Sequence, residues 1–444
     1  MRLPNRFRRC QEERGQILLL MALLLTVFIG LVGLTVDAGF LYAQRRQAQN
    51  GADAAALAGA QRLWEGGSQA QSIAAAFSYA DDNGYAASQT TVNLLPGASP
   101  TAVEVIVEEQ PTSFFIHVLI PGANTVRARA VADTVHIPRK YGLIVLNQDV
   151  CSGYDQGGSG NVIINGAGAM INSDCDEALD KGGTSLFNAD GDIDVTGGVD
   201  EPYAGIDPDP RDYVPWTVDD PLLALAPPTP GAPSPSSAGT AASPDTLKIN
   251  SNGNHTLEAG TYYGGVRINC SNCTVTFETG VHIMAGGGFT LSGNPVLEGD
   301  GVMIYVTDCN GANDPDPAEP DGPPTCSGDG IAEPFDIQGG AEINLTGLLY
   351  CAPLGPPCPP PYENTLITFW QDAAIDDQIR FAGDAGGSTG IWYFPGAELV
   401  ATGGADFGTA QIIVDSFTKT GSGDVSITYE AFVEVDLPLV LLIE

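Results

Sequence analysis

A run of twenty residues without a charge, Ile17 to Val36, constrains this chain more than any other feature of its sequence. At about 1.5 Å per residue, a helix of this length crosses the ~30 Å hydrocarbon core of a bilayer. A cleaved signal peptide has a shorter apolar core and a small-residue cleavage site. The run therefore predicts a single uncleaved transmembrane helix over residues 17–36.

Basic residues flank this span unequally, which predicts its orientation. Five arginines precede the span, and only Arg45 and Arg46 follow it closely. Since positive charge is retained on the cytoplasmic side, we expect residues 1–16 to be a cytoplasmic stub and the bulk of the chain to be extracytoplasmic.

The rest of the chain is strongly acidic. The formal net charge is −36, and the first 36 residues carry +3, which leaves −39 for the remainder. A body of this charge cannot bind nucleic acid through phosphate neutralisation. The sequence contains no phosphate-binding P-loop pattern. We therefore expect neither a nucleic acid nor a nucleotide as a partner.

Eight of the nine cysteines follow the span and fall into pairs of near neighbours in the sequence. An even number on one side of a membrane favours disulfides in an oxidising compartment. A zinc site is the alternative, but no second Cys-x-x-Cys or nearby histidine pair completes one. Cys10 stands alone before the span. The disulfide candidates are Cys151 with Cys175, Cys270 with Cys273, Cys309 with Cys326, and Cys351 with Cys358.

The segment after the span reads as an α+β module over residues 37–137. Its start is rich in Ala, Gln and Leu and lacks Pro, which predicts a helix from the membrane to about Trp64, ended by Gly66-Gly67. A second helix is expected over Gln69 to Asp82. Small residues on the first helix permit close packing, and we expect its outer half to pack on its own domain. Alternation then predicts strands at Val103–Val107, Ser113–Val118 and Thr125–Val131.

Several short motifs stand out in the N-terminal sequence: Arg14-Gly15-Gln16, the span, Val36-Asp37-Ala38-Gly39, Tyr42 to Arg46, and Ala52 to Ala60. With these motifs the sequence resembles the first module of TadE/TadG-like Flp (tight-adherence) pilus-assembly proteins, and PTSFFIHVLIPGANTVRARAVADTV is similar to the strand pair that closes that module. The resemblance implies anchorage at the cytoplasmic membrane and a part in assembling thin adhesive pili with other pilus-assembly proteins. Leu20 stands where a processed pseudopilin carries an acidic residue, which favours the anchored TadG-like branch.

The sequence pattern changes at residue 138. Residues 138–444 consist of short apolar runs separated by turns of Gly, Asn and Asp. Spacings of ~6–12 residues predict an all-β region, for which we expect a parallel β-helix and keep a β-sandwich as the alternative. GTYYGGVRIN and the sequence after it resemble β-helix segments. A Pro-rich insertion at 207–246 reads as an exposed loop or linker. A second, acidic loop occupies 310–334.

Candidate chemistry in the sequence is sparse. Histidines are scattered, and no hydrolase or metalloprotease motif is present. Asp376-Asp377 is the best carboxylate pair, but adjacent strand residues point to opposite faces. Asp190, Asp192 and Asp194 alternate and share one face of a strand, which makes calcium a possible ligand. We expect no other cofactor.

The sequence as a whole predicts a membrane-anchored, non-catalytic structural or assembly protein of a Flp-type pilus, with the cytoplasmic membrane and other pilus proteins as partners. The alternative is a secreted or surface β-helix adhesin or polysaccharide-active enzyme.

Overall fold

The computed structural model describes residues 14–95, 102–110, 115–116, 125–200, 204–308, 333–354, 357–359, 362–383, 385–430 and 432–443. Its contacts divide the chain into two compact units. One comprises Met1–Ile137 with Pro438–Glu444, and the other comprises Pro138–Leu437. A long apolar helix, a second helix and a large β-rich region follow one another, as the coarse fold prediction expects.

The elements of the first unit are α1 (Arg14–Trp64), α2 (Gln69–Asp82), β1 (Thr90–Leu94), β2 (Val103–Glu109) and β3 (Val126–Arg139). The β-rich unit contains β4 (Tyr141–Val145), β5 (Tyr154–Gln156), β6 (Val162–Asn165), β7 (Gly168–Ile171), β8 (Leu179–Lys181), β9 (Phe187–Ala189), β10 (Ile193–Val195), β11 (Ile206–Asp207), β12 (Leu247–Ile249), β13 (Gly253–Leu257), β14 (Gly260–Tyr263), β15 (Val266–Cys270), β16 (Cys273–Phe277), β17 (Gly280–Ala285), β18 (Phe289–Gly293), β19 (Val296–Thr307), β20 (Phe335–Gln338), β21 (Glu342–Leu349), β22 (Leu366–Gln371), β23 (Ile379–Ala382), β24 (Ala385–Gly386), β25 (Thr389–Thr402), β26 (Ala405–Thr420) and β27 (Val425–Thr428). The last strand is β28 (Val435–Leu442).

Both helices have well-defined ends. Gly66 takes a left-handed φ of 77°, and its amide and that of Gly67 donate to the carbonyls of Leu63 and Arg62. This Schellman motif ends α1 where the sequence predicts. Ser68 and Gln71 then form a capping box that starts α2.

The two helices pack on a four-stranded sheet of order β1-β2-β3-β28. Small residues of α1 make the contact close: a Cβ on Gly59 would lie 2.9 Å from a methyl of Val103, and one on Gly51 would lie 2.7 Å from the ring of Tyr85. The hydroxyl of Ser72 on α2 donates to the carbonyl of Gly59 at 2.8 Å. The expected packing of the outer half of α1 on its own domain is therefore confirmed.

Two details of this unit differ from the sequence-based expectation. Phe115 and Ile116 lie in no strand, although a strand is predicted over Ser113–Val118, whose other residues lie outside those described. The C-terminal residues from Pro438 belong to the first unit, where β28 adds a strand to its sheet. Local alternation cannot reveal either feature, since both depend on distant partners.

Nearly all strand pairs of the β-rich unit are parallel, and most strands pair with the corresponding strand of the next coil in the sequence. One ladder runs β12-β15-β18-β20-β23-β25-β26-β5-β8. A second runs β13-β16-β19-β21-β24-β26-β27-β6-β9-β11. The third runs β14-β17-β19-β22-β25-β26-β4-β7-β10. The antiparallel exception is the short pairing of β21 with β22.

The order within these ladders is not the order of the sequence. The last coil, β26 and β27, stacks on the first, β4 to β6. The core is continuous across this seam, because the ring of Tyr154 stacks between those of Phe417 and Phe187 at centroid distances of 5.5 and 4.6 Å. The unit therefore begins and ends in the middle of the stack, and residues 207 and 247 lie at its two ends.

Residues 208–246, here called the strap, connect those two ends along the third ladder, a path of about 38 Å at ~4.8 Å between neighbouring strands. Near one end, Asn172 exchanges two hydrogen bonds with the backbone of Val218, at 2.7 and 2.8 Å. At the other end, the amide of Ser234 donates to the carbonyl of Thr261 at 2.9 Å.

The strap lacks helix and extended strand, as a loop does, but it packs on the β-rich unit, which the reading of 207–246 as an exposed loop or linker did not anticipate. The outward residues of the third ladder are apolar and would otherwise face water. They are buried, as are Val214, Val218, Leu222 and Leu225 of the strap itself. The covered ladder residues include Ile283, Tyr305, Trp370, Tyr393, Ile413, Ile144 and Met170.

Candidate functional site

The helix α1 contains the membrane-span candidate predicted from the sequence. Within the described part of the chain it is the single helix long and apolar enough to cross a bilayer, with a mean hydropathy of 2.9 over its most apolar window. Its first half is solvent-exposed, for example Leu24 at 51% and Val32 at 60%. An exposed apolar surface of this extent requires lipid or a partner to cover it.

Asp37 lies directly beyond the span and is fully buried. One of its carboxylate oxygens accepts hydrogen bonds from the backbone amides of Phe115 and Ile116, both at 2.6 Å. A buried carboxylate is stable only when such donors compensate it. The sequence analysis placed Asp37 in a motif but gave it no role, because its donors lie almost eighty residues away.

The three aspartates proposed for calcium are engaged by other groups. Asp194 is buried, accepts from the hydroxyl of Tyr141 at 2.6 Å and forms a two-point ion pair with Arg211 of the strap. Asp192 lies 2.9 Å from Arg211 and also pairs with Arg139.

The third of these aspartates, Asp190, accepts from the amide of Gly166. Among the described residues, no group of three or more His, Cys, Asp or Glu side chains is arranged to hold a metal ion. Calcium binding by Asp190, Asp192 and Asp194 stays a prediction. The acidic residues of the 310–334 loop lie outside the described residues, except at its end.

Three of the four predicted cysteine pairs are disulfide-bonded: Cys151 with Cys175, Cys270 with Cys273, and Cys351 with Cys358. Cys309 and Cys326 lie outside the described residues, as does Cys10. The first bond closes a loop of the β-rich unit, the second joins two successive strands, and the third closes the short excursion after β21.

Asp376 and Asp377 are both exposed and lie in the turn between β22 and β23 rather than in a strand. Asp377 lines a shallow groove of about 300 Å³ on the outside of the first ladder. Arg267 in this groove lies 3.9 Å from Glu333. The remaining lining residues are Thr290, Pro334, Asp336, Gln378 and Arg380.

Of the histidines in the β-rich unit, His282 is buried and His255 is partly exposed. Nε2 of His282 donates to the carbonyl of Glu278 at 2.8 Å, and its Nδ1 has no hydrogen-bond partner among the described residues. Burial lowers the pKa of His282 below its ordinary value. The surrounding rings of Tyr262 and Phe277 make it a core residue. His117 and the side chain of His136 lie outside what the structure describes.

Comparison with known proteins identifies one region. Residues 15–62 match the family model described as Flp pilus-assembly TadE/G-like. No curated protein and no solved structure gives a significant match to the chain. The matched residues coincide with α1, from the start of the apolar span to its last turn. The N-terminal helix of this chain, with its apolar half and its small-residue packing half, is therefore a TadE/G-like Flp pilus-assembly segment.

Proposed function

We propose that this protein is a membrane-anchored, non-catalytic structural or assembly protein of a Flp-type pilus. The observation that carries the proposal is the coincidence of the family match at 15–62 with the one described helix that can span a bilayer. The cytoplasmic membrane and other pilus-assembly proteins are its partners. Nucleic acid and nucleotides are not.

The proposed topology has residues 1–16 in the cytoplasm and both units outside. Arginine asymmetry around the span supports this orientation. The three disulfides support an oxidising compartment for the β-rich unit. Protease added to spheroplasts should then degrade the chain beyond residue 37. If the protease left both units intact although it had reached the outer face of the cytoplasmic membrane, the orientation would be the opposite one.

We propose further that the β-rich unit is a parallel β-helix rather than a β-sandwich. Parallel pairing in all three ladders supports this, since sandwiches are built from antiparallel strands joined by hairpins and Greek-key connections. In a solenoid each coil buries its inward side chains against the next, so the repeats need not be identical in sequence.

Deletion of the gene tests the pilus function. We expect loss of pili on the cell surface, counted by electron microscopy, and restoration by the full-length chain. Restoration by a chain whose residues 14–36 are replaced with a cleavable signal peptide would contradict the anchored role. Normal piliation in the deletion strain would contradict the function itself.

A second candidate function, carbohydrate binding by a surface adhesin, is favoured by one observation. The groove around Asp377 combines two arginines with three carboxylates and an amide, and such polar side chains can bind sugar hydroxyls and acidic substituents. In a polysaccharide pull-down with the full chain, Arg267→Ala and Arg380→Ala should abolish capture, whereas Lys248→Ala, exposed on the same ladder, should not. Cleavage of the polysaccharide that Asp377→Ala abolishes would indicate an enzyme instead.

Calcium remains a proposal for the three alternating aspartates. The melting temperature of the full chain should then rise with added calcium and fall with chelator, and Asp190→Asn should reduce the rise. A melting temperature that is independent of calcium would contradict the proposal.

A further inference from the structure

The ring of Phe115 packs against the transmembrane segment of α1. A Cβ on Gly33 would lie 2.6 Å from this ring, a distance that real Cβ atoms do not adopt. The ring therefore occupies space that any side chain at position 33 would fill. Gly30, one turn earlier on the helix, has open space around it, so the close approach is specific to the outer end of the span.

Hydrogen bonds hold this contact in place. Asp37, one turn beyond Gly33, accepts from the amides of Phe115 and Ile116. Together the ring contact and the two hydrogen bonds attach this pair of residues to α1 on both sides of Val36, the last residue of the span.

The depth of Phe115 follows from the helix geometry. Gly33 lies three residues before the end of the span, which is about 4.5 Å along the axis. Phe115 is therefore at the level where acyl chains meet headgroups, whatever the tilt of the unit. At this level it is 44% exposed. A phenylalanine ring at this boundary gains from burial of its apolar surface in lipid, as on the apolar face of helices that lie in the membrane surface.

We propose that Phe115 and Ile116 form a membrane-surface contact, by which the first unit rests on the lipid boundary beside its own anchor helix. The occupant of the exposed ring face is lipid rather than another protein, because the contacted part of α1 is itself the lipid-facing span, with Val32 and Val36 exposed at 60% and 54%. This inference rests on the proposed anchoring of the chain.

The test uses the full chain reconstituted in liposomes with acyl chains brominated near the carboxyl group, which quench tryptophan on contact. The tryptophan fluorescence that Phe115→Trp adds to that of the unsubstituted chain should be strongly quenched. Tyr79→Trp on α2, which is 52% exposed, is the matched control and should keep its added emission. The C-cap residue of α2, Asn83, approaches α1 at Gly51, about 22 Å above the span. The native tryptophans are subtracted with the unsubstituted chain.

Val32→Trp separates failure of this inference from failure of anchoring, since position 32 is an exposed residue of the span at the depth that these bromines reach. Quenching at 32 without quenching at 115 would overturn the surface contact alone, including the case where another protein covers the ring. Absence of quenching at both positions would overturn the anchoring itself. Ile116→Trp is read in the same way if Phe115→Trp unfolds, as judged by circular dichroism.

Discussion

Buried polar residues of the β-rich unit hold together segments that are far apart in sequence. Asp220 of the strap accepts from the hydroxyl of Tyr393 at 2.5 Å, and burial raises the pKa of Asp220. Burial, followed by the charge of Asp220, raises the pKa of Tyr393 well above its usual range. The pair of Asp220 with Tyr393 and the pair of Arg211 with Asp194 attach the strap to the strands at two points. Burying a polar or charged side chain costs folding free energy unless the side chain is paired, so these pairs fix the path of the strap.

His282 predicts a pH dependence of stability at the residue scale. Its folded-state pKa is depressed by burial from an ordinary 6.5, so the unfolded chain binds the proton more readily. The contribution of neutral His282 to the free energy of unfolding is complete above about pH 6.5. It is lost as the pH falls towards the lowered pKa, by up to about 1.4 kcal/mol per pH unit.

His282→Gln retains an amide donor for the Glu278 carbonyl but does not titrate. Chemical unfolding between pH 7.5 and 5 should therefore show the variant gaining stability relative to wild type on acidification. A constant difference across this range would contradict the assigned role of burial.

At the element scale, the strap shows where sequence reasoning stops. Its Pro, Ser and Ala content disfavours helix and central strand, and this part of the prediction holds because these preferences are local. The sequence cannot show that an apolar outer ladder needs a cover, because that ladder forms only when distant coils stack. The Asp194–Arg211 pair was missed for the same reason, although Asp194 itself stood out by its spacing.

Leu222 and Leu223 provide a matched test of the strap. Leu222 is fully buried and Leu223 is 76% exposed. Leu222→Ala should lower the free energy of unfolding by about 2–5 kcal/mol through lost burial and a residual cavity, whereas Leu223→Ala should change it by less than about 0.5 kcal/mol. Equal effects in a denaturant titration would show that the strap does not pack as described.

The packing of α1 can be tested by placing a charge on its buried face and on its exposed face. Ala55 and Ala56 are fully buried against α2 and the sheet, so Ala55→Asp or Ala56→Asp buries an unpaired charge at a cost of several kcal/mol. Ala43 is exposed on the same helix and gives the control Ala43→Asp. Limited proteolysis should cut the first unit in the buried variants and spare it in the control. Similar digestion of all three would contradict this packing.

For the whole molecule, the sequence predicted the helix pair, their ends and the β-rich remainder well, because these depend on composition, caps and local periodicity. It did not predict that Pro438 onwards completes the first sheet, or that the first and last coils are neighbours. Pairings of this kind join residues such as Leu143 and Ile412 that are remote in the sequence, and no local pattern records them.

The disulfides predict a redox dependence of the whole chain. Alkylation of protein taken from the envelope without reduction should label Cys10 chiefly, with the other eight protected. Reduction should destabilise the β-rich unit, and loss of a single native disulfide typically costs about 2–5 kcal/mol in small secreted domains. Uniform labelling of all nine cysteines by mass spectrometry would contradict the assignment.

The seam between the last coil and the first has a consequence for biogenesis. An ordinary solenoid can grow coil by coil as the chain leaves the ribosome or the translocon. Here β4 to β6 emerge early but present an unpaired strand edge until β26 and β27 arrive, more than two hundred residues later. Open strand edges invite pairing with other chains. Folding of this protein therefore includes an interval in which a half-built stack has to be shielded, and the newly made C-terminal coil ends that interval by closing it.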